Sequence, residues 1–483
     1  MSEKGDYVQA KEVDGWRLPP GLRKALPFYM RRAWVSFGEP IPLFEHLHKT
    51  FGPIAHYRFM GTLIVFVNDP AWIQEILINQ AGSFIKERTL QRMKILLGEG
   101  LITSDDPIHM RQRRIAAPAF HRQRIANYAG QITSSAAATR EAWTKDVEFD
   151  VADAMMQLSL RIVARTLFDT EVTPEVLSVA DEVNTIMGLY NYLVAFPKLE
   201  SVLHWPIPGV MKFRRSRARL DAIVERMIAS RRALSRKDLE SRGDLLSELV
   251  AARDEAAAEG DPDGMSDKQL RDETLTIFLA GYETVANALS WTWYLLSQNP
   301  DATARMEAEV DEVLGGRAAT LQDYPNLRYT EMVFAESMRL YPPAWAMGRR
   351  STKAVELGEY RIPPGAHFFF SQYVLHRSAE FWEEPEAFRP ERHTAEAKAE
   401  PPRFVYFPFG GGRRQCIGES FAWMEGVFSL ATIAQKWRLE FVPRYPVVAQ
   451  AKITLRPKFP MMMIPRERFP QGVQDPMSHG AIG

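Results

Sequence analysis

A single cysteine, Cys416, stands in a chain of 483 residues. One thiol excludes an intramolecular disulfide framework and a cysteine-rich zinc site, so a reducing, cytoplasmic setting is expected. A charge surplus is missing as well: 60 Lys and Arg balance 60 Asp and Glu. Nucleic-acid binding calls for a basic surplus or a large basic face, so no nucleic-acid partner is expected. Long apolar runs are absent. The most apolar short stretches, LIVFV at 63–67 and AHFFF at 366–370, have the character of strands, whereas a spanning helix needs about 20 apolar residues. The polar N-terminal segment, about 1–20, is broken by Pro19 and Pro20, which suits neither a signal peptide nor a transmembrane anchor. No internal repeat or low-complexity linker divides the chain, and residues 1–483 are expected to form one domain.

What is present is ordinary globular material: 46% hydrophobic and 25% charged residues, enough apolar content for one large core. Strand-like alternation clusters at 53–67 and 354–370, around turn residues such as Gly61, Gly358 and Pro363-Pro364-Gly365. Most of the rest has helical spacing, so the fold class is mainly α with a small β portion. The small and acidic residues at 251–267 suggest a surface loop between two helices. After it, Ser266 and Gln269 form a capping-box pattern. Helical spacing then runs to Asn299-Pro300, where proline stops it. That spacing predicts a helix of about 50 Å, apolar on most sides and therefore central to the core. Its middle carries Ala280, Gly281, Glu283 and Thr284. A satisfied polar pair in a core helix is one reading. A helix whose small residues admit something flat, with polar groups serving it, is the other.

Three glycines, 410 to 412, precede Cys416, and Gly418 and a helical pattern to about Trp437 follow it. A thiol at a helix mouth, with Arg413 and Arg414 just upstream, is placed to ionise. Glycines let the backbone wrap close around a group that a Cβ would keep away. Such a thiolate serves either as a nucleophile paired with a histidine or as a metal ligand, including an axial ligand to haem iron.

The run from Phe409 to Gly418, FGGGRRQCIG, resembles the haem-binding signature F-G-x-G-x-R-x-C-x-G of the cytochrome P450 family, with every defining position filled. Ala280-Gly281-Tyr282-Glu283-Thr284 resembles that family's A-G-x-[DE]-T, and Glu336-Ser337-Met338-Arg339 its E-x-x-R, in the expected order. The resemblance covers essentially the whole chain. It implies the cytochrome P450 fold, with haem b (iron protoporphyrin IX) between the long central helix and the cysteine-bearing loop, and Cys416 as the iron ligand. It further implies that Ala280, Gly281 and Phe409 border the haem, and that Glu336, Arg339 and Arg392 form a buried structural trio. Arg392 lies in PERH at 390–393, where the family usually has Phe at the position of His393; only local packing is expected to suffer. For the haem propionates the resemblance implies His109 and Arg113, four residues apart on one helix face, with Arg414 and either Arg349 or Arg350. Thr284 and Glu283 are implied as the proton relay to bound oxygen.

By that resemblance the chain is expected to insert one atom of dioxygen into a lipophilic substrate. No flavin domain or cysteine cluster accompanies the haem segment, so a ferredoxin with its reductase, or a flavodoxin-type protein, is expected to supply electrons. A peroxide-driven peroxygenase and a non-enzymatic haem sensor are the alternatives; neither accounts for Glu283 beside Thr284. Substrate contacts are expected from the mostly apolar stretches 84–102 and 185–196 and from the upstream half of the central helix.

Overall fold

The computed structural model describes residues 7–22, 40–170, 207–259 and 265–468, apart from positions 14, 60, 206 and 400 where they fall within or beside these stretches; between 171 and 206 it describes only scattered positions. Helix accounts for 56% and strand for 14%, in keeping with a mainly α chain. Six helices position the site: α1 (Ile108–Ala116), α2 (Arg122–Ala142), α3 (Val151–Thr166), α4 (Asp267–Gln298), α5 (Arg328–Leu340) and α6 (Glu419–Ala434).

The long helix α4 starts where the capping box places it. Ser266 Oγ accepts from the Gln269 N–H at 3.2 Å, and Gln269 Oε1 accepts from the Ser266 N–H at 3.1 Å, satisfying two of the free donors of the first turn. It ends at Asn299, before Pro300. Phe278, Tyr282, Trp291 and Trp293 are buried along it. Helix α3 packs along one side, α5 and α6 along others, and α2 lies against α6. The residues at 251–259, read as loop, continue the helix Leu245–Glu259. Alanine, arginine and glutamate are good helix formers; they make up most of 251–259, and no glycine or proline interrupts them before Gly260.

The β portion is larger than the two clusters in the sequence suggest. One mixed sheet has seven strands: β1 (Tyr7–Val8), β2 (Gly21–Leu22), β3 (Ile54–Phe59), β4 (Thr62–Val67), β5 (Phe84–Lys86), β6 (Met347–Ser351) and β7 (His367–Phe370). Their spatial order is β1-β2-β3-β4-β7-β6-β5. The hairpin β3–β4 pairs Ile54 with Val67 and Phe59 with Thr62, turning through Gly61 at φ +82°, a conformation glycine takes without a Cβ penalty. The polar N-terminal segment thus contributes strands, because an edge strand needs only backbone pairing and no apolar face. A second hairpin near the C-terminus, β8 (Ala449–Ala451) with β9 (Leu455–Pro457), lies against α4. Among the described residues no helix is long and apolar enough to cross a membrane.

Candidate active site

Cys416 sits in the turn before α6. Its N–H donates to Phe409 O at 3.0 Å, closing the loop on itself, and the Phe409 ring lies 5.8 Å from Trp423 of α6. Gly412 has φ +70°, and a Cβ there would stand 2.3 Å from Leu77 O; one on Gly411 would stand 2.4 Å from the Phe404 ring. These two glycines make room for neighbouring protein, not, as the sequence suggests, for a bound group. The Cys416 side chain is solvent-accessible, although many protein atoms lie around it. Burial pushes its pKa up to about 11; the Gly418 N–H and the Arg113 guanidinium pull downward without prevailing. Burial therefore opposes ionisation of the free thiol at this helix mouth, whereas a metal ion deprotonates a thiol ligand outright.

The middle of α4 opens in the same manner. Residues 272–279 and 285–290 are buried, whereas Ala280, Gly281, Glu283 and Thr284 are only half-buried. Thr284 Oγ1 donates to Ala280 O at 2.9 Å, a bond back to the preceding turn. Its proton is thus committed within the helix, and its lone pairs remain able to accept. A Cβ on Gly281 would come 3.1 Å from Val163 of α3, so this glycine also allows α3 and α4 to approach closely. Glu283 points to the β8–β9 hairpin, where Thr454 Oγ1 donates to its Oε1 at 2.5 Å.

A cluster of cations lies beside the cysteine loop. Arg349 is buried and donates to Gly348 O at 2.8 Å; burial first, then Arg414, lowers its pKa to about 10. Arg414 donates to Ser104 O at 2.9 Å and to Asp105 at 3.3 Å. His109 is 2% exposed; burial, Arg414 and Lys86 push its pKa down to about 4, and its Nδ1 stands 3.4 Å from Asp106 Oδ1 without a well-aligned hydrogen bond. Arg113 donates to Gln415 O at 2.7 Å, which ties α1 to the cysteine loop. Arg350 stands apart, lining a surface cavity with Arg58 and Arg88. Lys86 went unnoticed in the sequence. It is buried at the end of β5, and burial, Arg349 and Arg414 all oppose its charge. The signal was available: on a strand, Lys86 shares a face with the core residue Phe84. Several buried cations, whose repulsion Asp105, Asp106 and Glu87 offset in part, make a setting for further anionic groups. An exposed interior cysteine, a half-open core helix and this cluster together fit a flat group that carries iron and two carboxylates.

The glutamate–arginine trio is a larger network than expected. Arg339 donates twice to Glu336, each bond 2.8 Å, with both side chains wholly buried. It also donates to the carbonyls of His376, Pro385 and Ala387 at 2.7–3.0 Å. Arg392 Nε stands 3.4 Å from Glu336, and His393 Nε2 stands 3.0 Å from Glu336 Oε2. The residue that departs from the family pattern is thus a direct partner of the buried carboxylate, a correction to the reading of His393 as a packing difference only. Burial raises the Glu336 pKa, but hydrogen bonds from Arg339 and His393 outweigh it and leave the carboxyl below its usual range. From His376, whose Nε2 accepts the Phe407 N–H at 3.1 Å, the network reaches the segment that leads into Phe409.

Of the proposed substrate-contact residues, Phe84, Met93, Leu96, Leu97 and Leu101 are buried in the cores, and Leu90 and Ile95 are half-buried against them. Most of 185–196 lies outside the described residues.

A family model described as Cytochrome P450 matches residues 19–462. Among similar curated proteins, cyclooctatin synthase of Streptomyces melanosporofaciens is 40% identical over 83% of this chain and 85% of its own. Cyclooctat-9-en-7-ol 5-monooxygenase of the same organism is 35% identical over 92% and 95%. Pentalenene oxygenase of Streptomyces avermitilis is 30% identical over 85% and 89%.

Proposed function

The chain belongs to the cytochrome P450 family of haem b oxidoreductases, and from that premise we propose that it uses dioxygen to hydroxylate a cyclic terpene-type substrate. Its electrons come from separate proteins of the ferredoxin or flavodoxin type, in a reducing, cytoplasmic setting that suits its lone thiol. The substrate class rests on relatives named for cyclooctatin, for cyclooctat-9-en-7-ol and for pentalenene. The observation that carries the oxygen chemistry is the half-open middle turn of α4, where Thr284 and Glu283 adjoin.

When bound, the haem would supply dioxygen activation and the oxidation of an unactivated C–H bond, and Cys416 would hold its iron. His109, Arg113, Arg349 and Arg414, together with Lys86, would hold the propionates. Thr284 gives its own proton to Ala280 O and so presents its oxygen as an acceptor, which orients a water with a proton directed away from the helix. Glu283, next in the chain, replaces the proton that this water delivers. A peroxide-driven reaction would leave Glu283 and Thr284 without a task.

Thr284→Ala is expected to bind haem and substrate normally and to consume reduced nicotinamide through the partner proteins. Product per electron should fall severalfold, with hydrogen peroxide rising to match. Glu283→Gln should slow turnover without that loss of coupling. Full coupling in Thr284→Ala, with a loss of stability only, would make Thr284 a core hydroxyl. Turnover of the wild type with peroxide alone, and none with a ferredoxin and its reductase, would favour the peroxygenase reading.

A further inference from the structure

Glu283 is held by a chain of donors that belongs to no motif of the sequence. Asn287, one turn further along α4, donates from Nδ2 to Thr454 Oγ1 at 3.1 Å. Thr454 in turn donates to Glu283 Oε1 at 2.5 Å. Asn287 is 2% exposed and Thr454 5%, so neither bond competes freely with water. One more turn on, Trp291 Nε1 donates to Leu455 O at 3.1 Å. The stripe Glu283–Asn287–Trp291 is therefore zipped to the turn between β8 and β9, and Leu455 N anchors that turn to Pro343 O at 2.9 Å.

The polarity of this chain has one solution. An amide –NH₂ only donates, so Thr454 must accept from Asn287. Its single hydroxyl proton is then left for the carboxylate. A charge-assisted O–H···O⁻ bond of this length is among the stronger neutral–ionic contacts. Lys452, on the same turn, also interacts with Glu283. Thr284 is adjacent in the chain, but its hydroxyl proton goes to Ala280 O, so it does not hold Glu283.

We propose that Thr454, fixed by Asn287, is a positioning residue that sets the orientation of the Glu283 carboxylate and thereby governs its proton delivery at the open turn of α4. The hydroxyl acts through Glu283, its hydrogen-bond acceptor. The carboxylate is held from the hairpin side, with Lys452 on the same turn. The proposal deepens the monooxygenase reading and rests on it for the proton-transfer part. The tether itself can be measured without turnover.

Thr454→Val keeps the shape and removes the hydroxyl; Thr454→Ser restores it. In denaturant unfolding of the purified holoprotein, the destabilisation of Thr454→Val combined with Glu283→Ala should be clearly smaller than the sum of the two single effects, because each removes the same bond, whereas a glutamine at 283 would still accept it. Strict additivity overturns the tether whatever the enzyme does. In turnover with the partner proteins, Thr454→Val should lower kcat about tenfold at unchanged KM and enlarge the solvent deuterium isotope effect. Thr454→Ser should recover both, and Thr454→Val should add nothing in the Glu283→Gln background. A Thr454→Val enzyme with wild-type kcat and isotope effect overturns the positioning role while leaving the monooxygenase reading intact. A wild type that never turns over with dioxygen and partners fails that reading and the proton-delivery role with it, whereas the unfolding cycle still decides the bond.

Discussion

Glu336→Ala is expected to leave little folded, haem-loaded protein. The carboxylate accepts two bonds from Arg339, one from the Arg389 N–H at 2.9 Å, and one from His393. Removing it strands Arg339, which is wholly buried, as an uncompensated charge. Breaking a buried pair in this way costs about 3–5 kcal/mol, a large part of the about 5–15 kcal/mol by which a domain is stable. The effect should appear as low soluble yield, a lowered denaturation midpoint and substoichiometric haem. His393→Phe, which restores the family's usual residue, should cost less, about 1–3 kcal/mol, because it removes one hydrogen bond to a charged group and leaves both arginines. The pH dependence has a defined sign. Glu336 titrates below an ordinary carboxylate, so its contribution is present above the unfolded-state value and disappears as pH falls through the lower folded-state value. Acid, and not alkali, should release the haem through this network. Soluble Glu336→Ala protein with full haem and an unchanged midpoint would show that the network carries no such load.

Cys416→Ser is expected to express and fold, yet to lose the strongly red-shifted Soret band of the reduced carbon monoxide complex entirely. The substitution swaps sulfur for oxygen without altering the loop, whose closure depends on the Cys416 N–H to Phe409 O bond and on Gly411 and Gly412. Stability should therefore change little while the spectrum changes completely. That combination separates a ligand from a structural thiol, which would show the reverse. A retained band in Cys416→Ser would remove the cysteine from the iron. Monooxygenase turnover should vanish with the band, since this is the only cysteine in the chain and no other side chain can supply a thiolate.

Several features were legible in the sequence because they are local. The capping box at Ser266–Gln269 and the proline at 300 bound α4 on their own, since a helix end is decided within one turn. Glu336 and Arg339 pair because three residues on a helix face bring side chains together. The order of the glycines, arginines and cysteine at 409–418 likewise carries the family resemblance without reference to distant chain. Other features were beyond sequence reasoning because they join distant segments. Lys86 meets Arg349 and Arg414 only when β5 and β6 pair in the sheet. His393 becomes a partner of Glu336 only when the segment after α5 folds back over it. The strands at 7–8 and 21–22 have no alternation to reveal them and exist only because β3 and each other offer backbone partners.

Residue types and local spacing thus determined the mainly α class, the central helix, the cysteine loop and the ion pair of α5. Tertiary structure decided which charges share a buried site. It set Arg349 and not Arg350 beside Arg414, and it drew Glu283 to Thr454, 171 positions along the chain. The reason is physical. A helix cap or an i, i+3 pair is completed by neighbours in sequence, whereas the charge state and orientation of a buried side chain depend on everything packed around it, most of which comes from elsewhere in the fold.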